Sequence, residues 1–403
     1  MNITITPGLL SGVITPPPSK SQSHRLVIAA ALAQGTSTLA NLARSEDIRA
    51  TLDCMRALGA QCSPDGSCVT GTEPDPIDKL PHLDCGESGS TLRFLIPVAL
   101  AVRGGGVFSG RGRLMERPQG PYETLFAEKG ILFERDHGTI LVKGRLRPGL
   151  YELPGDVSSQ FITGLLYALP LLDGDSELRL TTALESGGYV DMTLQALRRF
   201  GVQIFPTEQG WRIPGAQHFR PQKVAVESDY SQAGFYCAAK GLGSALEIRG
   251  LAPDSAQGDR VILQQCEQLA DPGEVTLDVS QCPDLVPPLA VYAALRAGQR
   301  TNLVGAARLR IKESDRLDTV TTQLNALGAQ ITQGADYLTI DGVSALNGGT
   351  VSGCNDHRIA MMLGIAATRA HECVTITGAE CVAKSYPNFW EDYAALGGIV
   401  ERT

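Results

Sequence analysis

What the sequence lacks narrows its class first. Its ten cysteines contain no C-x-x-C pair and its six histidines no H-x-x-x-H pair, so no metal site is expected. Scattered thiols of this kind read as reduced, which places the chain in the cytoplasm rather than in an oxidising compartment. The longest apolar runs, Phe94 to Val102 and Phe161 to Leu172, fall short of the roughly 20 residues that span a bilayer, and no membrane partner is expected. The opening Met-Asn-Ile-Thr-Ile-Thr-Pro has neither a basic segment nor a long apolar core, so no secretory signal is read there. Positive charge is also scarce. With 35 Lys and Arg against 43 Asp and Glu, the net charge of -8 argues against a nucleic-acid partner. There is no Walker loop, and Gly86-Glu-Ser-Gly-Ser90 misplaces the second glycine of a G-x-S-x-G elbow. What remains is a globular chain, 43% hydrophobic and only 5% aromatic, whose 403 residues suit two or more domains.

The organisation comes from a repeat. An amphipathic helix, a Leu-Gly or Phe-Gly stop and a short β-rich segment recur at Thr51 to Ala60, Thr193 to Val202, Thr321 to Ala329 and Trp390 to Gly398. Weaker copies lie at Thr124 to Gly130 and Ile262 to Ala270. Glycine just past each clear helix is the expected left-handed stop. Six copies in 403 residues set a period of roughly 67. Each copy also carries a second, nearly all-apolar helix, starting near Arg25, Ser90, Gln160, Ser231, Asp284 and His357. Such helices belong in a core. The expectation is an α/β fold of six βαβαββ-like repeats, three per domain. One domain comprises residues 1–14 and 228–403, the other residues 15–227, with the active site in the cleft between them.

The starts of the apolar helices collect unusual polar residues. Pro16-Pro-Pro-Ser-Lys-Ser-Gln-Ser-His-Arg25 puts a stiff extended run before a helix that Ser19 or Ser21 can cap, with Lys20 and Arg25 at its first turns. Helix N-termini carry roughly +0.5 of a charge, so cations there are misplaced unless an anion joins them. A solvated basic turn explains one such site, but not its recurrence at Gly86 to Arg93, Asp156 to Gln160, Asp284 and Asn355 to Arg358. Two further basic stretches run from Arg111 to Gln119 and from Arg308 to Arg316. In the second, Lys312 and Arg316 share a face if the segment is helical. Small polyanions are the ligands this pattern suits.

These strings resemble the 5-enolpyruvylshikimate-3-phosphate synthase family over almost the whole chain. The matching motifs are Pro-Ser-Lys20-Ser21 with Arg25, Gly-x-Ser-Gly89-Ser90-Thr-x-Arg93, Glu-Arg117-Pro, Ser158-Ser159-Gln160 and Ser186-Gly-Gly-Tyr189. They continue with Pro-Asp284, Arg-Ile-Lys312-Glu313-Ser-Asp-Arg316, Asn-Asp-His357-Arg358 and Lys384-Ser-Tyr-Pro. The resemblance implies a two-domain inside-out α/β barrel. It implies transfer of the enolpyruvyl group of phosphoenolpyruvate to the 5-hydroxyl of shikimate 3-phosphate, releasing phosphate, without metal or cofactor. It also implies sensitivity to the family's inhibitor glyphosate. Lys20, Ser21, Arg25, Ser158, Ser159, Gln160, Ser186, Tyr189, Asp284 and Lys312 would then hold shikimate 3-phosphate. Lys20, Gly89, Arg117, Gln160, Arg316, His357, Arg358 and Lys384 would hold phosphoenolpyruvate. Asp284, Glu313 and Lys20 would be the catalytic groups. Glu87 and Arg308 depart from the family, where asparagine is common at the first position and occurs at the second.

That chemistry needs a vinyl carbon protonated while an alcohol attacks its neighbour, which a base and an acid can serve; Asp284 and Glu313 resemble that pair. Cations neutralise and orient the phosphates and carboxylates, and arginine forks suit a planar carboxylate. The nearest rival is the UDP-N-acetylglucosamine enolpyruvyl transferase family. It has Lys-Asn where this chain has Lys20-Ser21, and a cysteine or aspartate on a loop that here, from Arg111 to Gln119, contains no cysteine. A silent repeat scaffold that binds an anionic metabolite is the alternative from another class. It gives no reason for Asp284 and Glu313 beside the cations. The expectation is a cytoplasmic monomer acting on two small-molecule substrates.

Overall fold

The computed structural model describes residues 1–72 and 79–403. The chain divides into two compact units, Pro18–Glu227 and a discontinuous one of Met1–Pro17 with Ser228–Thr403. The first crossing falls at Pro17, three residues beyond the expected 14/15 boundary.

Twelve helices alternate in character among the described residues. Six are buried almost all round: α1 (Lys20–Ala31), α3 (Gly89–Arg103), α5 (Ser159–Ala168), α7 (Tyr230–Gly241), α9 (Val286–Ala294) and α11 (His357–Ala367). Six others bury one face: α2 (Glu46–Ala57), α4 (Gly120–Glu128), α6 (Gly187–Arg199), α8 (Ile262–Ala270), α10 (Arg316–Ala326) and α12 (Phe389–Ala395). Local chemistry explains the ends. Ser19, Ser45, Ser88, Ser158, Asp229, Asp315 and Asp356 each cap a helix by accepting from a backbone N–H two or three residues on. The predicted stops Gly59, Gly201, Gly328 and Gly397 all adopt positive φ, between 83° and 103°.

In the Pro18–Glu227 unit each repeat runs strand, buried helix, parallel strand, surface helix, hairpin. The second repeat shows the register. Leu83 lies opposite Phe108 and Phe108 opposite Ile140, all buried and facing the helices. The third repeats it with Tyr151, Leu178 and Trp211. The first repeat borrows its leading strand, Lys223–Ala225, from the far end of the unit. The other unit borrows likewise: Asn2–Thr6 completes the last sheet between Val374–Thr377 and Ile399–Arg402. Each unit thus has helices at its centre, sheets outside and a hydrophobic cluster of its own.

Two details differ from the six-repeat expectation. The fourth repeat ends after its surface helix: Ser11–Ile14 and Ala245–Ile248 form a two-stranded sheet, and α8 leads directly to the first strand of the fifth repeat. The five other sheets are four-stranded, and among the described residues none closes on itself as a barrel.

One close helix contact depends on Gly164 of α5. A Cβ there would lie 2.4 Å from the Tyr122 hydroxyl and 2.5 Å from the Arg93 carbonyl of α3. Ala in place of Gly inside a helix is ordinarily favourable by up to about 1 kcal/mol. Here overpacking of about 1–3 kcal/mol outweighs it. Gly164→Ala is expected to lower stability in urea unfolding, and a stabilised variant would refute this account of the contact.

Candidate active site

In the Pro18–Glu227 unit side chains from the N-terminal halves of α1, α2, α3, α5 and α6 make cross-helix contacts. Lys20, the first residue of α1, meets Asp47 in the first turn of α2 at 2.9 Å. Arg25, one turn further on, is 3% exposed and donates in three directions. Its Nε reaches Thr193 Oγ1 at 2.9 Å, Nη1 the Ser21 carbonyl at 2.7 Å and Nη2 the Tyr189 carbonyl at 2.8 Å. Burial pulls its pKa down to about 10, countered by Tyr167 and Tyr189, so it stays charged at neutral pH.

The α3 and α5 starts meet through Gln160. Its Oε1 accepts from Arg93 Nη1 at 2.8 Å while its Nε2 donates to Ser90 Oγ at 3.0 Å. A guanidinium has no acceptor, so this pairing fixes which way the amide points. Arg93 also donates to the Pro118 carbonyl at 2.9 Å, next to Arg117. At Gly89 a Cβ would lie 2.7 Å from Arg117 Nη1, so glycine admits that guanidinium against the helix start. Ser158 caps α5; the Ser159 hydroxyl joins none of these contacts among the described residues. Ser186 precedes α6 with φ of 55°, a left-handed conformation that costs a serine about 1–3 kcal/mol.

The discontinuous unit gathers its predicted residues around one guanidinium. Arg316, 1% exposed, contacts Asp356 through Nε at 2.8 Å, Asp284 through Nη1 at 2.8 Å and Glu313 through Nη2 at 2.7 Å. Burial opposes its charge, but Asp356, Glu313 and Asp284 more than offset it and raise its pKa. Asp284 is shared: Arg358 Nη2 stands 3.0 Å and Lys312 Nζ 3.5 Å from its carboxylate. Burial lowers the Lys312 pKa, with Asp284 acting against it. Lys384 holds Asn355 by its carbonyl at 2.6 Å and its Oδ1 at 2.8 Å. Cys354 and Asn355 both have φ of 51°, and His357 follows two residues later as the buried first residue of α11. Two of the six non-glycine positive-φ positions among the described residues, Ser186 and Asn355, therefore lie in predicted site stretches, and a third, Cys354, adjoins one.

The cations that looked misplaced in the sequence are met by the chain's own oxygens, carboxylates at Lys20, Arg316 and Arg358 and carbonyl and hydroxyl oxygens at Arg25. Lys312 and Arg316 do not share a helical face: Lys312 is extended (φ −83°, ψ −159°), and α10 begins at Arg316. Of the two departures, Glu87 lines a pocket of about 280 Å³ with Asp47, Asp84 and Arg111, and Arg308 donates to the Ser280 carbonyl.

Sequence reasoning gave no role to Asp47, Arg93, Asp259 or Asp356. Arg93 and Asp356 stood inside quoted motifs, so their positions were signalled. Asp47 and Asp259 were not, since their partners are distant in sequence. Among the described residues there is no group of three or more His, Cys, Asp or Glu arranged to hold a metal, and no helix long and apolar enough to cross a membrane.

A two-unit α/β repeat fold with clustered cations, paired carboxylates and strained loops defines an enzyme built for small polyanions. The chain belongs to the EPSP synthase (3-phosphoshikimate 1-carboxyvinyltransferase) family, which it matches over residues 5–393. A 3-phosphoshikimate 1-carboxyvinyltransferase of Clostridium acetobutylicum is 45% identical, covering 99% of this chain and 98% of that protein. One from Clostridium perfringens is 43% identical over 99% of both. The solved EPSP synthase of Acinetobacter baumannii superposes with a TM-score of 0.81 at 25% identity, covering 100% of both chains.

Asp259 provides a pH test of this cluster. Burial and the nearby Asp284 push its pKa up to about 6, against a hydrogen bond from Ser231 and the charge of Arg358. A folded-state pKa above the unfolded value near 3.9 means that stability falls as pH rises from about 4 through 6. Asp259→Asn is expected to be more stable than the parent by about 1–3 kcal/mol at pH 7.5, with the gap closing at pH 4. Urea unfolding at both pH values checks this; a gap independent of pH would contradict it.

Proposed function

We infer that the chain transfers the enolpyruvyl group of phosphoenolpyruvate to the 5-hydroxyl of shikimate 3-phosphate and releases phosphate, a step of aromatic amino-acid biosynthesis. The observation that carries the residue assignment is the Arg316 cluster, in which one buried cation holds both predicted reacting carboxylates, Asp284 and Glu313. Lys20, Ser21, Arg25, Ser158, Ser159, Gln160, Ser186, Tyr189, Asp284 and Lys312 hold shikimate 3-phosphate in this reading. Lys20, Gly89, Arg117, Gln160, Arg316, His357, Arg358 and Lys384 hold phosphoenolpyruvate. In this reading the enzyme is a cytoplasmic monomer with no membrane partner, and the net charge of -8 argues against a nucleic-acid partner.

When phosphoenolpyruvate takes over Arg316 and Arg358, Asp284 is released to accept the proton of the 5-hydroxyl. The oxygen attacks C2 of phosphoenolpyruvate while Glu313, protonated in the ternary complex, delivers a proton to the vinyl CH2. The C–O bond formed gives a tetrahedral ketal phosphate. Elimination then breaks the C–O bond to phosphate, which takes up the proton held on Asp284 as it leaves, the methyl group returns one proton to Glu313, and the vinyl double bond is restored. Lys20 and the arginines neutralise the anions and orient an otherwise bimolecular encounter.

Incubating the protein with shikimate 3-phosphate and phosphoenolpyruvate is expected to release inorganic phosphate in step with the enolpyruvyl product. Binding without turnover would favour the silent scaffold, and turnover with UDP-N-acetylglucosamine instead would favour the rival transferase. Glu313→Gln is expected to cut turnover by about 10²–10⁴-fold. It is also expected to abolish exchange of the vinyl hydrogens in deuterated buffer; exchange at the parent rate would exclude Glu313 as the donor. In Gly89→Ala the new methyl displaces Arg117, so glyphosate inhibition should weaken more than shikimate 3-phosphate binding. Unchanged inhibition would remove the Gly89–Arg117 contact from the phosphoenolpyruvate site.

A further inference from the structure

Beneath Lys20 a chain of hydroxyls crosses three helices. His24 of α1, 0% exposed, places Nδ1 2.7 Å from Thr51 Oγ1 of α2. Thr51 Oγ1 lies 2.7 Å from Thr91 Oγ1 of α3, and Thr91 lies 2.7 Å from Ser88 Oγ, the cap of α3 beside Gly89. None of the four residues is more than 1% exposed. Both threonines also reach the Asp47 carbonyl, at 3.2 and 3.4 Å, and Asp47 is the residue that pairs with Lys20. One buried string therefore touches the residue that aims Lys20 and the cap that precedes Gly89.

The string has a direction. Nε2 of His24 is buried with no hydrogen-bond partner among the described residues. A buried orphan N–H costs more than a buried orphan lone pair, so the ring proton belongs on Nδ1. Burial first, then Lys20 and Arg25, hold the imidazole well below its ordinary pKa, so it carries that one proton. His24 N–H then donates to Thr51, whose single hydroxyl proton goes to Thr91, and that of Thr91 goes to Ser88, which polarises the string toward the start of α3; the Asp47 carbonyl, at 3.2 and 3.4 Å, takes the longer branch of those two donations.

We propose that His24 is a positioning residue that sets the spacing between Lys20 and Gly89, through donation from Nδ1 along Thr51 and Thr91 to Ser88. This rests on the transferase reading, in which Lys20 and Gly89 both hold phosphoenolpyruvate. Removing the donor leaves Thr51 free to turn, loosens Asp47 and Ser88 together and weakens phosphoenolpyruvate before other contacts. A histidine that merely filled space would change stability and leave the two substrates equally affected.

The test compares His24→Leu, which keeps bulk and loses the donor, with His24→Asn, whose amide N–H falls close to the Nδ1 position. Steady-state kinetics with both substrates are read beside thermal unfolding. His24→Leu is expected to raise the KM for phosphoenolpyruvate roughly tenfold, the effect of one buried hydrogen bond. In this reading Lys20 also touches shikimate 3-phosphate but Gly89 does not, so the KM for shikimate 3-phosphate should change less, by under threefold, and His24→Asn should recover most of the loss. Equal effects on both substrates, or no recovery by asparagine, would overturn the proposal. Thr91→Val interrupts the far end at nearly constant volume and is read in the same way should His24→Leu not fold. A Thr91→Val enzyme with parental KM for phosphoenolpyruvate would overturn the proposal as well. Absence of enolpyruvyl transfer in the unmodified protein would instead strike the transferase reading, so the two failures are separable.

Discussion

The buried guanidinium of Arg316 is the constraint on which the discontinuous unit's site depends. A charge that is 1% exposed is tolerable only when paired and hydrogen-bonded, and three carboxylates do this at 2.7–2.8 Å. Two of them, Asp284 and Glu313, are also the groups assigned to move protons. Asp356, 0% exposed, is the fixed member: it caps α11 and accepts from the Ser314 hydroxyl at 3.0 Å as well as from Arg316. The arrangement allows exchange. In the proposed function, an anionic substrate that takes the Arg316 contacts of Asp284 and Glu313 frees both carboxylates while Asp356 keeps the arginine in place.

The same logic runs through the Pro18–Glu227 unit with different residues. Lys20 is held by Asp47, Gln160 by Arg93 and Ser90, and Arg25 by two carbonyls and a threonine. The partners lie in the N-terminal halves of α1, α2, α3 and α6. Helix N-termini favour anions, so cations placed there need local carboxylates or carbonyls whenever substrate is elsewhere. The fold provides them by bringing several helix starts together, which the βαβαββ repeat does by using one connection pattern three times.

Repetition also explains where the pattern can be cut. Both units complete a sheet with a strand from a remote part of the chain, Lys223–Ala225 in one and Asn2–Thr6 in the other. These strands fasten the ends of a unit that would otherwise be three repeats in a row. The fourth repeat does without a hairpin, although its helix α7 is as buried as its equivalents. The helix, not the hairpin, is the part each repeat contributes to the core.

Much of this was legible in the sequence because the signals were local. Apolar runs after Arg25 or Ser90, glycines at helix ends and serines at caps act within a few residues, so the repeat, its helices and the site motifs could be read in order. Family motifs placed Lys20, Arg117, Asp284, Glu313 and Arg316 for the same reason. The chain alone could not show that Asp47 reaches Lys20 across 27 positions, or that His24, Thr51, Thr91 and Ser88 form one string. Nor could it show that Lys312 is extended rather than helical, or that the fourth hairpin is absent. Those outcomes depend on how helices from different repeats meet. Only packing decides which polar groups are buried together, and a buried polar group must find its partner wherever the fold puts one.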